Sequence, residues 1–387
     1  MHFAAHGEYT GLGEGPLVKC LGGSLVTRTL AAYVYPGWHS CPERNHGFPP
    51  GWSEWDLVLE AQPRFPGHEQ PKVPLHGPYD DSLPDTASKQ VLLARSHGVD
   101  LFVYGFFWSR GKRVFEGALD RGFLGLEGRD FPFAVMWANR MPRRVLPVKR
   151  ARDSGIHPDR LVYTDADDFL ALVRFLAERY FARPNYFRLG GRVLFSIFDS
   201  TFFVRQMGPE AAQEAIRRAR RTLSDLGLPD LHLMALNPAP SLTGALGRIG
   251  FDSASHYVLL PDWKGDYLQD YRSLASRRAS EWPHHLRVAD IPYFPSVSPG
   301  WDATARGAMH GARRVRRYPW WPVVVGGRPE RFRSFLADAI RFSRRSYEDA
   351  LTFIASWNEW SEGHYLEPDE RYGMGWLEAV REGRDLA

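Results

Sequence analysis

Leu351-Thr352-Phe353-Ile354-Ala355-Ser356-Trp357-Asn358-Glu359-Trp360-Ser361-Glu362-Gly363 is the stretch from which the rest of the chain is read. Its first four residues are apolar or β-branched, the pattern of a short buried strand. The run turns polar at Trp357. Glu359 and Glu362 follow three residues apart, so a helical turn at the strand end sets both carboxylates on one side. Trp357, Trp360 and Tyr365 crowd around them. An ordinary Glu-x-x-Glu pair is a solvated surface feature, but indoles packed around one are costly to expose. Paired carboxylates between aromatic faces suit glycosidic chemistry, in which one acid keeps its proton at neutral pH and its neighbour does not.

Upstream, seven further strand-like runs precede this one, at 30–35, 99–108, 131–137, 192–198, 231–236, 253–258 and 292–297. Helical patterns fall between and after them, at 85–97, 114–126, 165–181, 209–226, 242–249, 267–286, 329–347 and 372–384. The first of these presents Val91, Leu92 and Ala94 as its apolar side. Strict alternation over eight strands predicts an α/β fold, a single (β/α)8 TIM barrel. The irregular run 40–84 makes a long first βα loop. An open doubly wound sheet would want a glycine-rich phosphate turn after the first strand, and none is there. Residues 1–28 form an N-terminal tail or strap, and 29–387 the barrel catalytic domain.

The 387 residues, 44% hydrophobic, suffice for one large domain. Lys+Arg 49 against Asp+Glu 45 leaves a net charge of +4, too even to imply nucleic acid. The 13 Trp suit a sugar-binding surface. Cys20 and Cys41 give no disulfide framework and read as free thiols of a reducing compartment. His39-Ser40-Cys41-Pro42-Glu43-Arg44-Asn45-His46 fits no zinc spacing, so no metal and no organic cofactor is expected. No signal-like start and no apolar run near 18 residues is found, so the expected location is cytoplasmic, without an integral membrane segment. Arg313, Arg314, Arg316 and Arg317 make either a solvated basic loop or a contact for an anionic sugar or lipid phosphate.

In a (β/α)8 barrel the residues just past each strand converge at one mouth. Here these are Tyr35 and His39, Trp108 and Arg110, Trp137, Asn139 and Arg140, Asp199, Asn237, His256 and Tyr257, Trp301 and Asp302, then Trp357, Asn358, Glu359, Trp360 and Glu362. Aromatic faces, short hydrogen-bonding side chains and carboxylates are what a carbohydrate requires. Singly, each reads as a core or rim residue; the argument is their convergence.

The run Trp357-Asn358-Glu359-Trp360-Ser361-Glu362-Gly363, followed by Leu366-Glu367-Pro368, resembles the signature of glycoside hydrolase family 99 and its bacterial WbsX-type relatives of O-antigen and capsule clusters. Gly51-Trp52-Ser53-Glu54-Trp55, Gly67-His68-Glu69-Gln70-Pro71, Trp137-Ala138-Asn139 and Pro295-Ser296-Val297-Ser298-Pro299-Gly300-Trp301-Asp302 agree with the WbsX-type pattern. The resemblance implies a (β/α)8 barrel acting on an α-linked glycan with retention. It also implies that Glu359 deprotonates the sugar 2-hydroxyl, which displaces the leaving group through a 1,2-anhydro sugar, while Glu362 serves as acid/base. Relatives carry Trp-Ala-Asn-Glu where this chain has Arg140, a cation for a carboxylate, which leaves room for an anionic or modified substrate. The alternatives are a glycosyltransferase or transglycosylase of glycan biosynthesis, and a non-catalytic carbohydrate-binding barrel.

Overall fold

The computed structural model describes residues 28–42, 49–126, 130–139, 165–310 and 314–387. Eight strands run parallel around one barrel: β1 Arg28–Val34, β2 Leu101–Ser109, β3 Phe133–Trp137, β4 Arg192–Ile197, β5 Leu231–Leu236, β6 Ser253–Ser255, β7 Ser296–Val297 and β8 Ala350–Ile354. Neighbours follow the order β7-β8-β1-β2-β3-β4-β5-β6. The ring closes where Ala254 of β6 bridges Tyr293 in parallel, just before β7. The expected (β/α)8 TIM barrel is the observed fold.

β3, β5 and β8 are buried along their whole length, as expected of strands covered on both faces. Inside the ring, Tyr33 stacks on Phe353 at 5.1 Å, and on the opposite face of the sheet Phe102 packs on Trp357 at 5.0 Å. Outside lie α1 Pro84–Ser96, α2 Ala166–Leu176, α3 Pro209–Asp225, α4 Tyr271–Val288, α5 Pro329–Ser346 and α6 Gly375–Asp385. α3 shows how they dock. Pro209 starts it, where a missing N–H costs nothing. Ala212, Ala215, Ile216, Ala219 and Leu223 then form a small-residue stripe at helical spacing against the barrel.

Several boundaries differ from expectation, each for a local reason. In α1, Leu92 is 68% exposed and Gln90 is buried instead, drawn inward by a hydrogen bond to Glu367. The pattern at 114–126 is not one helix. β2 turns back at Arg110-Gly111, both at positive φ (49° and 76°), into an antiparallel strand Lys112–Val114. Two left-handed residues are what a tight hairpin needs. A short π-helical turn, Ala118–Phe123, follows. β6 stops at Ser255 because the Asn237 side chain takes the Tyr257 N–H at 3.1 Å. β7 is only two residues long, since Pro292 and Pro295 offer no N–H to a ladder. α4 begins at Tyr271, after Leu268–Asp270 has paired in parallel with Val323–Val325. Residues 1–27, including Cys20, lie outside the described residues; Cys41 is buried.

Candidate active site

Past β8 the chain makes a miniature hairpin. Asn358–Glu359 pairs with His364–Tyr365, and Trp360–Glu362 forms a single 3-10 turn closed by Gly363 at φ +67°. In a 3-10 turn residues i and i+3 eclipse, which brings Glu359 and Glu362 to the same side. Ser356 Oγ pins this turn by accepting from the Glu359 backbone N–H at 2.8 Å.

A third carboxylate and a cation join the pair. Glu54, from the long first loop, is fully buried and accepts from the Tyr35 hydroxyl at 2.5 Å and from Ser361. Arg306, from the 3-10 segment Ala303–His310 after β7, is 7% exposed and spans all three acids. Its Nε donates to Glu54 Oε1 at 2.9 Å, its Nη2 to Glu359 Oε1 at 2.7 Å, and its Nη1 to Glu362 and to the Tyr318 hydroxyl. Tyr257 donates to Glu359 Oε2 at 3.2 Å and Tyr318 to Glu362 Oε1 at 2.8 Å. His364 Nε2 lies 3.2 Å from Glu362 Oε2, with Trp301 stacked on its ring at 5.5 Å.

These contacts split the pair electrostatically. Burial raises both carboxyls, but Arg306, His364 and Tyr318 outweigh it at Glu362 and hold that acid down to about 2. At Glu359 burial dominates, helped by the charges of Glu362 and Glu54, and its carboxyl stands well above the ordinary range despite Arg306. In this resting arrangement the surroundings disfavour the charged form of Glu359 and favour that of Glu362. The sequence reading had the reverse, because nothing in it placed a cation between the acids.

Of the expected mouth residues, the structure gathers Tyr35, Tyr257, Trp301, Glu359 and Glu362. Asp302 adjoins them: its N–H donates to the Glu362 carbonyl at 2.7 Å. Its buried carboxylate is held ionised by His68, Gln70 and Thr304. The His68 tautomer is set too, since Nδ1 accepts from the Arg64 N–H at 3.0 Å and leaves Nε2 to donate.

Other expected residues turn into the scaffold. Asn358 pairs both ways with the Tyr35 backbone, at 2.8 and 3.0 Å, tying β8 to β1. The Trp357 and Trp360 indoles both donate to Glu367, at 3.1 and 2.8 Å, and both residues are fully buried. Trp108 donates to Asp168 at 2.9 Å and Trp137 to the Trp108 carbonyl at 3.1 Å. Asn139 pairs with the Asp199 backbone, at 2.7 and 2.9 Å, and the Asp199 carboxylate caps the helix Ser200–Met207. Asn237 donates to the Phe198 carbonyl at 2.9 Å. His256 bonds the Tyr293 hydroxyl at 2.8 Å, and burial lowers its pKa to about 3, so it stays neutral. Arg110 is exposed at a hairpin tip. His39 engages Asp81 at 2.5 Å. Their atoms lie within 4.8 Å of an Asp80 carboxylate oxygen, a set that could hold a metal ion. Asp80 is meanwhile engaged by Ser82 and Asp81 by the Trp38 N–H. Arg140 and Arg313 lie outside the described residues. Arg314, Arg316 and Arg317 lie over the rings of Tyr267, Trp321 and Trp320.

Sequence reasoning did not select Glu54, Arg306, Tyr318 or His364. Glu54 sits inside a quoted segment of the family pattern, which was a usable signal. Arg306 lies in Ala303-Thr304-Ala305-Arg306-Gly307, a context that marks nothing.

The sequence profile described as "Glycosyltransferase WbsX" matches residues 30–380. The chain belongs to the WbsX glycosyltransferase family. Within it, the protein WxcX of Xanthomonas campestris pv. campestris is 31% identical over 378 residues, covering 92% of this chain and 49% of the relative. The chain thus spans about half the length of the curated relatives it matches. Among solved structures, one titled a glycoside hydrolase-like protein is similar over 96% of this chain and 97% of its own, with 15% identity and a TM-score of 0.61. The GH99 endo-alpha-mannosidase from Bacteroides thetaiotaomicron is similar over 92% of this chain and 97% of its own, with 15% identity and a TM-score of 0.57. These two likenesses establish a shared barrel fold for this WbsX-family chain. No helix among its described residues is long and apolar enough to cross a membrane.

Proposed function

We propose that this WbsX-family barrel is a glycan-acting enzyme that breaks and remakes an α-glycosidic bond at the Glu359–Glu362 pair. The observation that carries the reading is the burial of two carboxylates from one turn at the end of β8, bridged by a single guanidinium. Barrel active sites sit at this face, built from residues at strand ends. Burying that much charge is costly, and the cost is offset here only by the shared guanidinium and its hydrogen bonds.

In the reaction we infer, Glu359 takes the proton of the sugar 2-hydroxyl and O2 attacks C1. The bond from C1 to the leaving oxygen breaks as Glu362 gives that oxygen its proton. In the second half Glu362 takes a proton from the incoming hydroxyl, whose oxygen bonds to C1. The C1–O2 bond breaks and Glu359 returns the proton to O2. The cycle starts with the proton on Glu362, whereas the resting contacts favour the ionised form of Glu362 and disfavour that of Glu359. Arg306 must therefore loosen from Glu362 when the glycan enters, letting that acid take up a proton while Glu359 ionises. Tyr318 and His364 then orient Glu362, and Tyr257 orients Glu359.

Transfer to a second sugar is the other reading, with a glycan hydroxyl in place of water. It is favoured by the family description. Both readings use the same two acids. The test is turnover of α-mannosides and α-glucosides, with and without added saccharide acceptor, by wild type, Glu359→Gln and Glu362→Gln. Product anomers are followed by NMR. Retention is expected, with kcat/KM falling roughly 10²–10⁴-fold in either variant. Inversion, or undiminished turnover in both variants, would rule the mechanism out.

A further inference from the structure

Beside the acids, not over them, the barrel face opens into a cavity of about 330 Å³, at the small end of the range for ligand pockets. It is built from the long first loop, the segments after β7, and the turn after β8. Trp301, Asp302 and Gly363 form the partition, and Gly363 directly follows Glu362 in the chain. We propose that this cavity is a separate subsite that holds an uncharged sugar ring of the glycan whose bond is worked on by the pair. The assignment rests on the functional reading above and extends it to a part of the surface that reading does not use.

The lining chemistry selects the occupant. Trp301, Tyr372 and Trp376 line the cavity, Tyr372 half-buried and the two indoles showing only a small part of their surface. Hydrogen-bonding groups stand among them. Lys72 forms no hydrogen bond or ion pair with another described residue, although it lies close enough to Asp302 to help hold that acid ionised. Its ammonium is thus a donor left for a ligand hydroxyl. Gly300, Gly326 and Gly327 bring bare backbone to the wall. A Cβ on Gly300 would meet the Gly363 carbonyl at 2.9 Å, and one on Gly327 the Pro299 carbonyl at 2.9 Å, so glycine is what permits this packing.

The charge balance excludes an anion. Glu69, Asp302, Asp369 and Glu370 stand against Lys72 and Arg371, four carboxylates to two cations. Arg371 is already engaged by Glu69 at 3.4 Å. A phosphate or uronate would enter a field of its own sign, whereas a neutral hexose meets donors, acceptors and aromatic faces together. The rim extends the argument outward: Trp263 is 49% exposed and sits edge-on to Trp301 at 5.1 Å. It offers an open stacking face beside the subsite, where a next sugar unit would lie.

The test titrates methyl α-mannopyranoside, methyl α-glucopyranoside, glucuronic acid and inorganic phosphate into wild type, Lys72→Met and Glu359→Gln, reading tryptophan fluorescence and chemical shifts. Thermal unfolding checks that each variant is folded. A neutral glycoside is expected to bind roughly tenfold more weakly to Lys72→Met, the loss of one charge-assisted hydrogen bond, and the Lys72-dependent shifts are expected to persist in Glu359→Gln, which loses only the component at the acids. Glucuronic acid and phosphate are expected to bind more weakly than the glycosides. Glycoside binding lost in Glu359→Gln but untouched in Lys72→Met would overturn the subsite and leave the carboxylate site standing. Phosphate binding that depends on Lys72 and exceeds that of the glycosides would overturn the uncharged-sugar assignment. Absence of binding by every glycoside would overturn the subsite and the glycan reading together.

Discussion

With its guanidinium shared among Glu54, Glu359 and Glu362, Arg306 meets two buried carboxylates and a half-buried one with one positive charge. That excess favours the neutral form of one acid, and burial together with the neighbouring acids favours it at Glu359. Catalysis needs Glu359 ionised, so kcat/KM should rise with pH through a Glu359 pKa above the usual carboxylate range. Removing the cation favours the neutral form of both acids. Arg306→Gln should therefore move that acid limb upward by about one to three pH units. A pH–rate profile checks this, and an unmoved limb would mean that Arg306 does not set the protonation of the pair. The same residue marks where sequence reading stops. The paired glutamates were legible from their spacing and their indoles. A lone arginine in a small-residue segment, brought in by a loop more than 50 positions away, was not.

At the level of elements, the turn after β8 hangs on Glu367. Four donors converge on its buried carboxylate: Tyr79, Gln90, Trp357 and Trp360. Burial nevertheless raises its pKa to about 7, from an ordinary value of 4.5. The native state then binds more protons than the unfolded chain between those two values. The stability this group contributes is complete below about pH 4.5 and is lost as pH rises towards 7, with an amplitude of at most about 3 kcal/mol. Glu367→Gln cannot titrate and should lack this component. It should also be less stable at pH 5 by about 1–3 kcal/mol, because its amide hydrogens face donors. Chemical denaturation of both proteins at pH 5 and pH 7 checks the two statements. The indoles explain a misreading as well. A tryptophan at a strand end looks the same in sequence whether it lines a cleft or reaches back to a buried acid. Only the position of Glu367 shows that Trp357 and Trp360 do the latter. Strand lengths follow a similar logic: alternation located all eight, but prolines and a side-chain amide cut β7 and β6 short.

On the scale of the whole molecule, the barrel is complete from β1 to α6, with Arg28 of β1 registered against Ala350 of β8. That closure is made between described residues from Arg28 onward. A chain beginning at Arg28 should therefore fold cooperatively, with a Tm within a few degrees of the full chain by calorimetry; a broad transition would place part of the barrel's support upstream. The long first loop belongs to the same unit, since it supplies Glu54 to the acids and His68 to Asp302. Sequence alternation gave the architecture because strand and helix periods are local. The site required contacts between positions as far apart as Glu54 and Ser361, which no local pattern contains. The proposed chemistry requires a sugar gripped at the Glu359–Glu362 pair. Calorimetric titration of a mannose-configured cationic iminosugar into wild type, Glu359→Gln and Glu362→Gln tests it most directly. Binding to wild type that weakens at least tenfold in each variant is the predicted result. Equal affinity in all three proteins, or none in wild type, would contradict it.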